Sequence, residues 1–195
     1  MLNDLTSALS LLATRRSGRP REMVAPGPSP DQLRQILTIA SRTPDHGKLA
    51  PWRFVVVNHD QRSDLAILLR RALAAEDPCA PPLKHEKADE FAHNAPALVV
   101  LISTPIAGHK INVWEQELSA GAVAMNLLLA THALGFVGGW ITGWPAYSEL
   151  VRSAFCGPDE RIAGFFYLGT PSRPLEDRPR PELDAVVHTW SPPAL

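Results

Sequence analysis

The chain has 195 residues with 19 basic and 20 acidic side chains, a formal net charge of −1. That balance excludes a bulk electrostatic draw toward nucleic acid or an acidic membrane, so any bound anion must be held by local residues. A hydrophobic share of 45% and a charged share of 20% fit a soluble globular protein. The length suffices for one domain, residues 1–195, with a sizeable core.

Asp4 to Thr14 carries Leu5, Ala8, Leu9 and Leu12 at helical spacing, with Asn3 or Asp4 as the N-cap. The start of the chain has an acidic residue early and its basic residues after the apolar run. This reverses the order of a secretory signal, and a cytoplasmic location is expected. The proline-rich stretch PREMVAPGPSP predicts an irregular connector. It leads to Ser29 as the cap of a helix that starts at Pro30 and lines up Leu33, Ile36, Leu37 and Ala40.

Arg53 to Asn58 reads as the first strand, and Asp60 as the cap of a helix running through Leu65, Leu68 and Leu69 toward Ala75. EDPCAPPL interrupts the chain, and a polar, weakly helical stretch follows to Asn94. ALVVLIS is a second, buried strand. A long helix follows from Val113 to Leu134, ended by GFVGGWITGWP. Ser148 to Phe155 is a short helix with Gly157 past its end, and IAGFFYLGTP is a third strand before a proline-rich tail. Helices outnumber strands and do not alternate with them, which places the fold in the α+β class.

The segment from Leu118 to Phe136 is apolar on nearly every face and spans roughly 28 Å, close to bilayer thickness. Asn126 and His132 inside it, Glu115 and Glu117 at its start and the lack of a basic flank argue against a membrane span. A helix apolar all round must be covered all round. In a chain of this size a second copy is the economical cover, and Ala120, Gly121, Ala122 and Ala124 permit close approach. A homodimer is expected; the alternative is the central core helix of a monomer.

Arg15-Arg16-Ser17 after the first helix has two readings. Basic residues offset the negative end of a helix dipole. Alternatively, two guanidinium forks and a hydroxyl form a phosphate clamp, with Arg19 as a further cation. Between Arg42 and Trp52 the loop RTPDHGKLAPW concentrates two prolines, an aspartate, a histidine and a lysine directly before a strand.

Taken in order, RRS, TPDH…PWRF, WEQELSAGA, GFVGGWITG and GFFYLGTP resemble the nitroreductase family, specifically its short branch of NAD(P)H nitroreductases. The match runs from about Leu5 to Pro171. The resemblance implies a nitroreductase-like α+β fold, a central mostly antiparallel sheet flanked by helices, with the long helix at a homodimer interface. It also implies FMN bound in a groove built from both chains. Arg15, Arg16 and Ser17 would hold the FMN phosphate, and Arg42 and His46 would reach the flavin bound mainly by the other subunit. Trp140, Ile141 and Thr142 would line the flavin, and Ala130 to Gly135 would meet the nicotinamide nucleotide. Arg173 would be a further phosphate ligand, and Arg19 would sit near the reduced ring.

Two positions depart from the family pattern. Ala50 stands where glutamine is common before Pro-Trp, and Ile141 stands where the short branch carries arginine. The implied reaction passes electrons from NADH or NADPH through flavin to a nitroaromatic, quinone or similar acceptor, with no protein acid or base required. The alternatives are a flavin-binding or storage dimer without turnover, and a flavin enzyme of the same fold acting on another substrate, by enone reduction or dehalogenation.

Other constellations carry less. His85, Asp89 and His93 share a helix face in a Lys- and Glu-rich stretch and read as a solvated surface. Glu115 and Glu117, two residues apart, point to different sides of their helix. Cys79 and Cys156 match no metal or redox spacing, and separate free thiols are expected.

Overall fold

The computed structural model describes residues 1–193. Among them, five strands form one sheet: β1 (Met23–Val24), β2 (Trp52–Val57), β3 (Ala97–Ser103), β4 (Val137–Ile141) and β5 (Arg161–Pro171). Every pairing is antiparallel, with β5 as the hub that bonds β1, β3 and β4, and β2 outside β3. Among the described residues, the other edge of β2 has no partner strand.

Among the described residues, six α-helices flank the sheet: α1 (Ala8–Thr14), α2 (Pro30–Ala40), α3 (Arg62–Glu76), α4 (Pro82–His93), α5 (Val113–Ala133) and α6 (Glu149–Phe155). The two-residue period of a strand divides the core between the faces. Leu98, Val100, Ile102, Phe165 and Tyr167 face α3, α4 and α6, where Leu65, Leu69, Ala88, Ala92 and Val151 are buried. Val99, Leu101, Phe166 and Leu168 face α2 and α5, against Ile36, Ala40, Val123, Leu127 and Leu128. Both faces are therefore fully used, and β3 reads as a continuous apolar run because neither of its faces meets water.

Capping follows the sequence closely at α2, where the Ser29 hydroxyl accepts from Gln32 N and the Gln32 side chain accepts from Ser29 N. The first helix is shorter than its spacing predicts. It begins at Ala8 under a Ser7 cap, because the Asp4 carboxylate accepts the N–H of Thr6 and holds the preceding residues in a turn. The polar stretch before Asn94 is a regular helix, α4. The proline-rich connector is not wholly irregular, since Met23 and Val24 pair with Pro171 and Thr170.

The larger correction is β4, which the sequence pattern reads as the end of the long helix and a turn. Two consecutive glycines depress strand propensity, yet here a side chain cannot be accommodated. A Cβ on Gly138 would lie 2.8 Å from the Leu128 side chain, and one on Gly139 would lie 2.7 Å from the Gly18 carbonyl oxygen. Strand β4 is thus wedged between α5 and the arginine-bearing loop.

Helix α5 is covered by this chain on one side only. Val123, Ala124, Leu127 and Leu128 are buried, while Trp114, Leu118 and Met125 are 63%, 53% and 37% exposed. Gly121 opens onto free space. Among the described residues no helix is long and apolar enough to cross a membrane.

Candidate functional site

The loop after α1 is fixed from two directions. Asn3 bridges Arg16 on both its backbone groups, accepting from Arg16 N at 2.7 Å and donating to Arg16 O at 3.0 Å. On the other side Gly18 N donates to Gly138 O at 3.1 Å. Between these anchors Arg15 is half-buried and donates to the Ser17 hydroxyl at 3.1 Å. Among the described residues it pairs with no carboxylate.

Arg15 is surrounded by like charge. Burial first, then repulsion from Arg180, Arg16 and Arg178, holds its pKa below the usual arginine value. Asp177 is the carboxylate in this group; it pairs with Arg180 at 3.2 Å, and its own pKa is lowered first by the Arg178 backbone N–H. Arg16 donates to the Glu176 carbonyl at 2.7 Å, which ties the tail to the loop. Four guanidinium groups with one carboxylate paired among them leave uncompensated positive charge, which a compact anion would offset.

Arg178 and Arg180 were not singled out in the sequence. The one available signal was an Arg-Pro-Arg run in an otherwise featureless tail, and only the fold shows that it returns to Arg15. The other two expected cations are already paired. Arg19 bonds Glu22 at 3.3 Å and Glu176 at 3.4 Å, and Arg173 bonds Glu22 at 2.6 Å.

From the clamp, β4 leads to Trp140. Its indole lies across Gly164, where a Cβ would meet Nε1 at 2.1 Å. It also stacks on Phe166 at 5.4 Å between centroids and donates from Nε1 to Ala163 O at 2.9 Å. The ring is rigidly held and 40% exposed, which makes it a flat wall. Ile141, next along β4, turns to the other face and packs against the α3, α4 and α6 core, and Thr142 beyond it is half-buried. In the stretch from Ala130 to Gly135, Ala130, Thr131 and His132 are buried, while Ala133 and Gly135 are exposed. His132, only 1% exposed, has its pKa pushed down to about 4 by burial and then by the charge of Arg15.

The loop from Arg42 to Ala50 runs along α5 and is held by that helix's few polar side chains. Asn126 donates to Arg42 O and to the Thr43 hydroxyl, each at 2.9 Å, and Ser119 donates to Pro44 O at 2.9 Å. Glu115 takes His46 Nδ1 at 2.8 Å. These contacts explain an asparagine and two other polar groups on a helix that reads as apolar. Arg42 and His46 are both exposed, and Trp52 is half-buried beside the α2–α5 core.

The structure thus joins the loop of Arg15, Arg16 and Ser17 to β4 through the Gly18–Gly138 bond, but it does not bring His46 to them. His46 is paired at Glu115 and the clamp lies by His132, roughly 25 Å further along the helix at 1.5 Å per residue. Elsewhere, Asp89 is ion-paired with Arg70, and among the described residues no His, Cys, Asp or Glu group could hold a metal. Cys79 and Cys156 are free thiols, as expected.

A family model described as the nitroreductase family matches residues 12–170 of the chain. An Escherichia coli K12 protein named "Putative NAD(P)H nitroreductase YdjA" is 40% identical over 170 residues, spanning 84% of this chain and 88% of that one. Among solved structures, a nitroreductase-like family protein from Bacillus cereus superposes with a TM-score of 0.83 at 19% identity, covering 95% of this chain and 96% of that one. A mutant of the FMN and NADPH-dependent nitroreductase NfnB from sphigopyxis sp. strain HMH gives 0.74 at 19% identity, covering 95% and 99%. These two likenesses show the fold.

Proposed function

Because the chain belongs to the nitroreductase family of oxidoreductases, we propose that it is an FMN-dependent enzyme taking electrons from NADH or NADPH to a nitroaromatic, quinone or similar flat acceptor. The observation that carries this reading is Arg15, half-buried, unpaired with any carboxylate among the described residues, and faced by Arg16, Arg178 and Arg180. A phosphate monoester fits that arrangement in charge and in size, and Ser17 adds a hydroxyl donor. Bound there, FMN would supply the electron-transfer chemistry between nicotinamide and acceptor.

The chain's own residues would then bind, orient and shield. Arg15, Arg16 and Ser17 hold the phosphate end, with Arg178 and Arg180 from the tail closing over it. Trp140 forms the wall along the ring, and the backbone of Ile141 and Thr142 continues it. Arg19 and Arg173, paired with Glu22, fix the loop and tail at the entrance.

The second half of the groove belongs to a second copy. His46 and the clamp sit near opposite ends of α5, too far apart to serve one ligand within a chain. In a two-fold dimer with antiparallel α5 helices, the His46 end of one helix meets the clamp end of the other. The exposed Trp114, Leu118 and Met125 on α5 supply an apolar surface for that contact. Leu183, Val186, Val187 and Trp190 in the tail are also exposed, with nothing among the described residues to cover them.

The test is the visible absorbance of the purified protein, with mass spectrometry of what heat releases. A yellow protein that yields FMN at about one per chain, bleaches with NADH or NADPH and recovers with an added quinone supports the proposal. A colourless protein that takes up no added FMN overturns it. Flavin that binds but is not bleached by either nucleotide points to a flavin-binding dimer.

A further inference from the structure

The loop that carries His46 is held at a cost. Lys48 and Ala50 have φ of 57° and 46°, and Gly47 has 79°, so three nearby residues occupy the left-handed region and two of them bear side chains. A residue with a Cβ is strained in that region. The Asp45 carboxylate offsets part of this by accepting from Leu49 N at 3.1 Å and Ala50 N at 2.8 Å. Glu115, Ser119 and Asn126 lie on one face of α5 by helical spacing, and each bonds the loop.

Within this arrangement the Glu115–His46 contact has a specific chemical consequence. A carboxylate only accepts, so the hydrogen must lie on His46 Nδ1. In the neutral ring Nε2 is then a bare acceptor, and the ring orientation is fixed. The imidazole and the carboxylate line a hollow of about 350 Å³ together with Pro44, Leu118, Ser119 and Ala122. An ordinary exposed ion pair contributes little and needs no rigid loop to hold it. Here a strained backbone, with Ser119 and Asn126 bonded to it, holds the loop that presents the ring to Glu115.

We propose that Glu115 is a positioning residue: its carboxylate holds His46 in the Nδ1–H form and turns Nε2 into the hollow, toward the flavin bound by the other subunit. The proposal rests on the two-chain flavin site above, and it adds a residue that never touches the ligand. Glu115 acts through His46, so its effect should depend on a hydrogen-bond acceptor at that position.

The experiment compares wild type with Glu115→Gln and Glu115→Ala by two readouts. The first is ¹⁵N-detected histidine NMR of FMN-free protein at about pH 9, where an imidazole is neutral, with His46→Asn identifying the signal. The second is the FMN dissociation constant from fluorescence titration. Wild type and Glu115→Gln, whose amide oxygen still accepts, should show the Nδ1–H tautomer, and Glu115→Ala should lose it. FMN affinity should fall about three- to tenfold in Glu115→Ala, the range of one hydrogen bond, and stay within about twofold in Glu115→Gln. An unchanged tautomer in Glu115→Ala, or unchanged FMN affinity despite a changed tautomer, overturns the positioning role while leaving the flavin site intact. If wild type takes up no FMN, the flavin reading fails and the proposal fails with it.

Discussion

Gly18 donates its N–H to the carbonyl of Gly138, and that backbone bond of 3.1 Å joins the arginine loop to the strand bearing Trp140. The clamp and the aromatic wall therefore have a common origin, and Gly139 makes the approach possible. A methyl group there would stand 2.7 Å from the Gly18 carbonyl, and a backbone atom cannot swing aside as a side-chain tip does. Gly139→Ala should destabilise the fold by about 1–3 kcal/mol, the usual cost of overpacking. It should also weaken FMN binding, because the loop must move off β4. Urea unfolding with FMN titration checks this, and a variant equal to wild type in both would show that the loop does not depend on β4.

The clamp can be tested through the ligand's phosphate. Arg15→Ala removes a charge-assisted contact worth about 1.5–3 kcal/mol. FMN affinity should therefore drop roughly ten- to a hundredfold, while riboflavin, which has no phosphate, should bind both proteins alike. Arg178→Ala with Arg180→Ala should show the same selective loss on a smaller scale, although both residues lie in the tail. Equal losses for FMN and riboflavin would mean that the arginines support the fold and not the phosphate.

The order of helices and the three long strands could be read from the sequence, because apolar period and caps are local signals. Ser29, Pro30 and Gln32 announce α2 in four residues, and β3 is an unbroken apolar run. Strand β4 was hidden, since Gly138 and Gly139 answer to Leu128 and Gly18, neighbours that sequence spacing does not reveal. The same limit applies to the site. Arg15 to Ser17 stood out as a compact motif, whereas Arg178 and Arg180 join it only once β5 has carried the chain back. The bond between Glu115 and His46 spans 69 positions, and no helical period connects those residues.

The outer face of α5 gives a test of assembly. Leu118 is 53% exposed and borders the hollow beside His46, so a charge there would cost the isolated chain little. Leu118→Glu should therefore leave the fold intact but yield monomer mass by light scattering at micromolar concentration. FMN binding should fall with it, because the proposed groove takes half of its lining from the second copy. A Leu118→Glu protein that remains dimeric would place the subunit contact elsewhere.

His132 offers a prediction in pH. Its pKa is about 4 in the folded chain against 6.5 for an unperturbed histidine, so between those values an unfolded chain binds a proton that the folded one excludes. Acid then favours unfolding. The contribution to stability is complete above about pH 6.5 and declines by about 1.4 kcal/mol per pH unit toward pH 4. Below that it is flat, after a total loss on the order of 3 kcal/mol. Carboxylates titrate in part of the same range, so the useful quantity is the difference between wild type and His132→Gln in urea unfolding from pH 7 to 4. Wild type should lose more stability than the variant. Part of the shift comes from the charge of Arg15, so Arg15→Ala should raise the folded pKa of His132 and make the wild-type slope shallower. A difference curve that stays flat across this range would mean that His132 takes up its proton in the folded protein, and that the interior beside Arg15 is open to water.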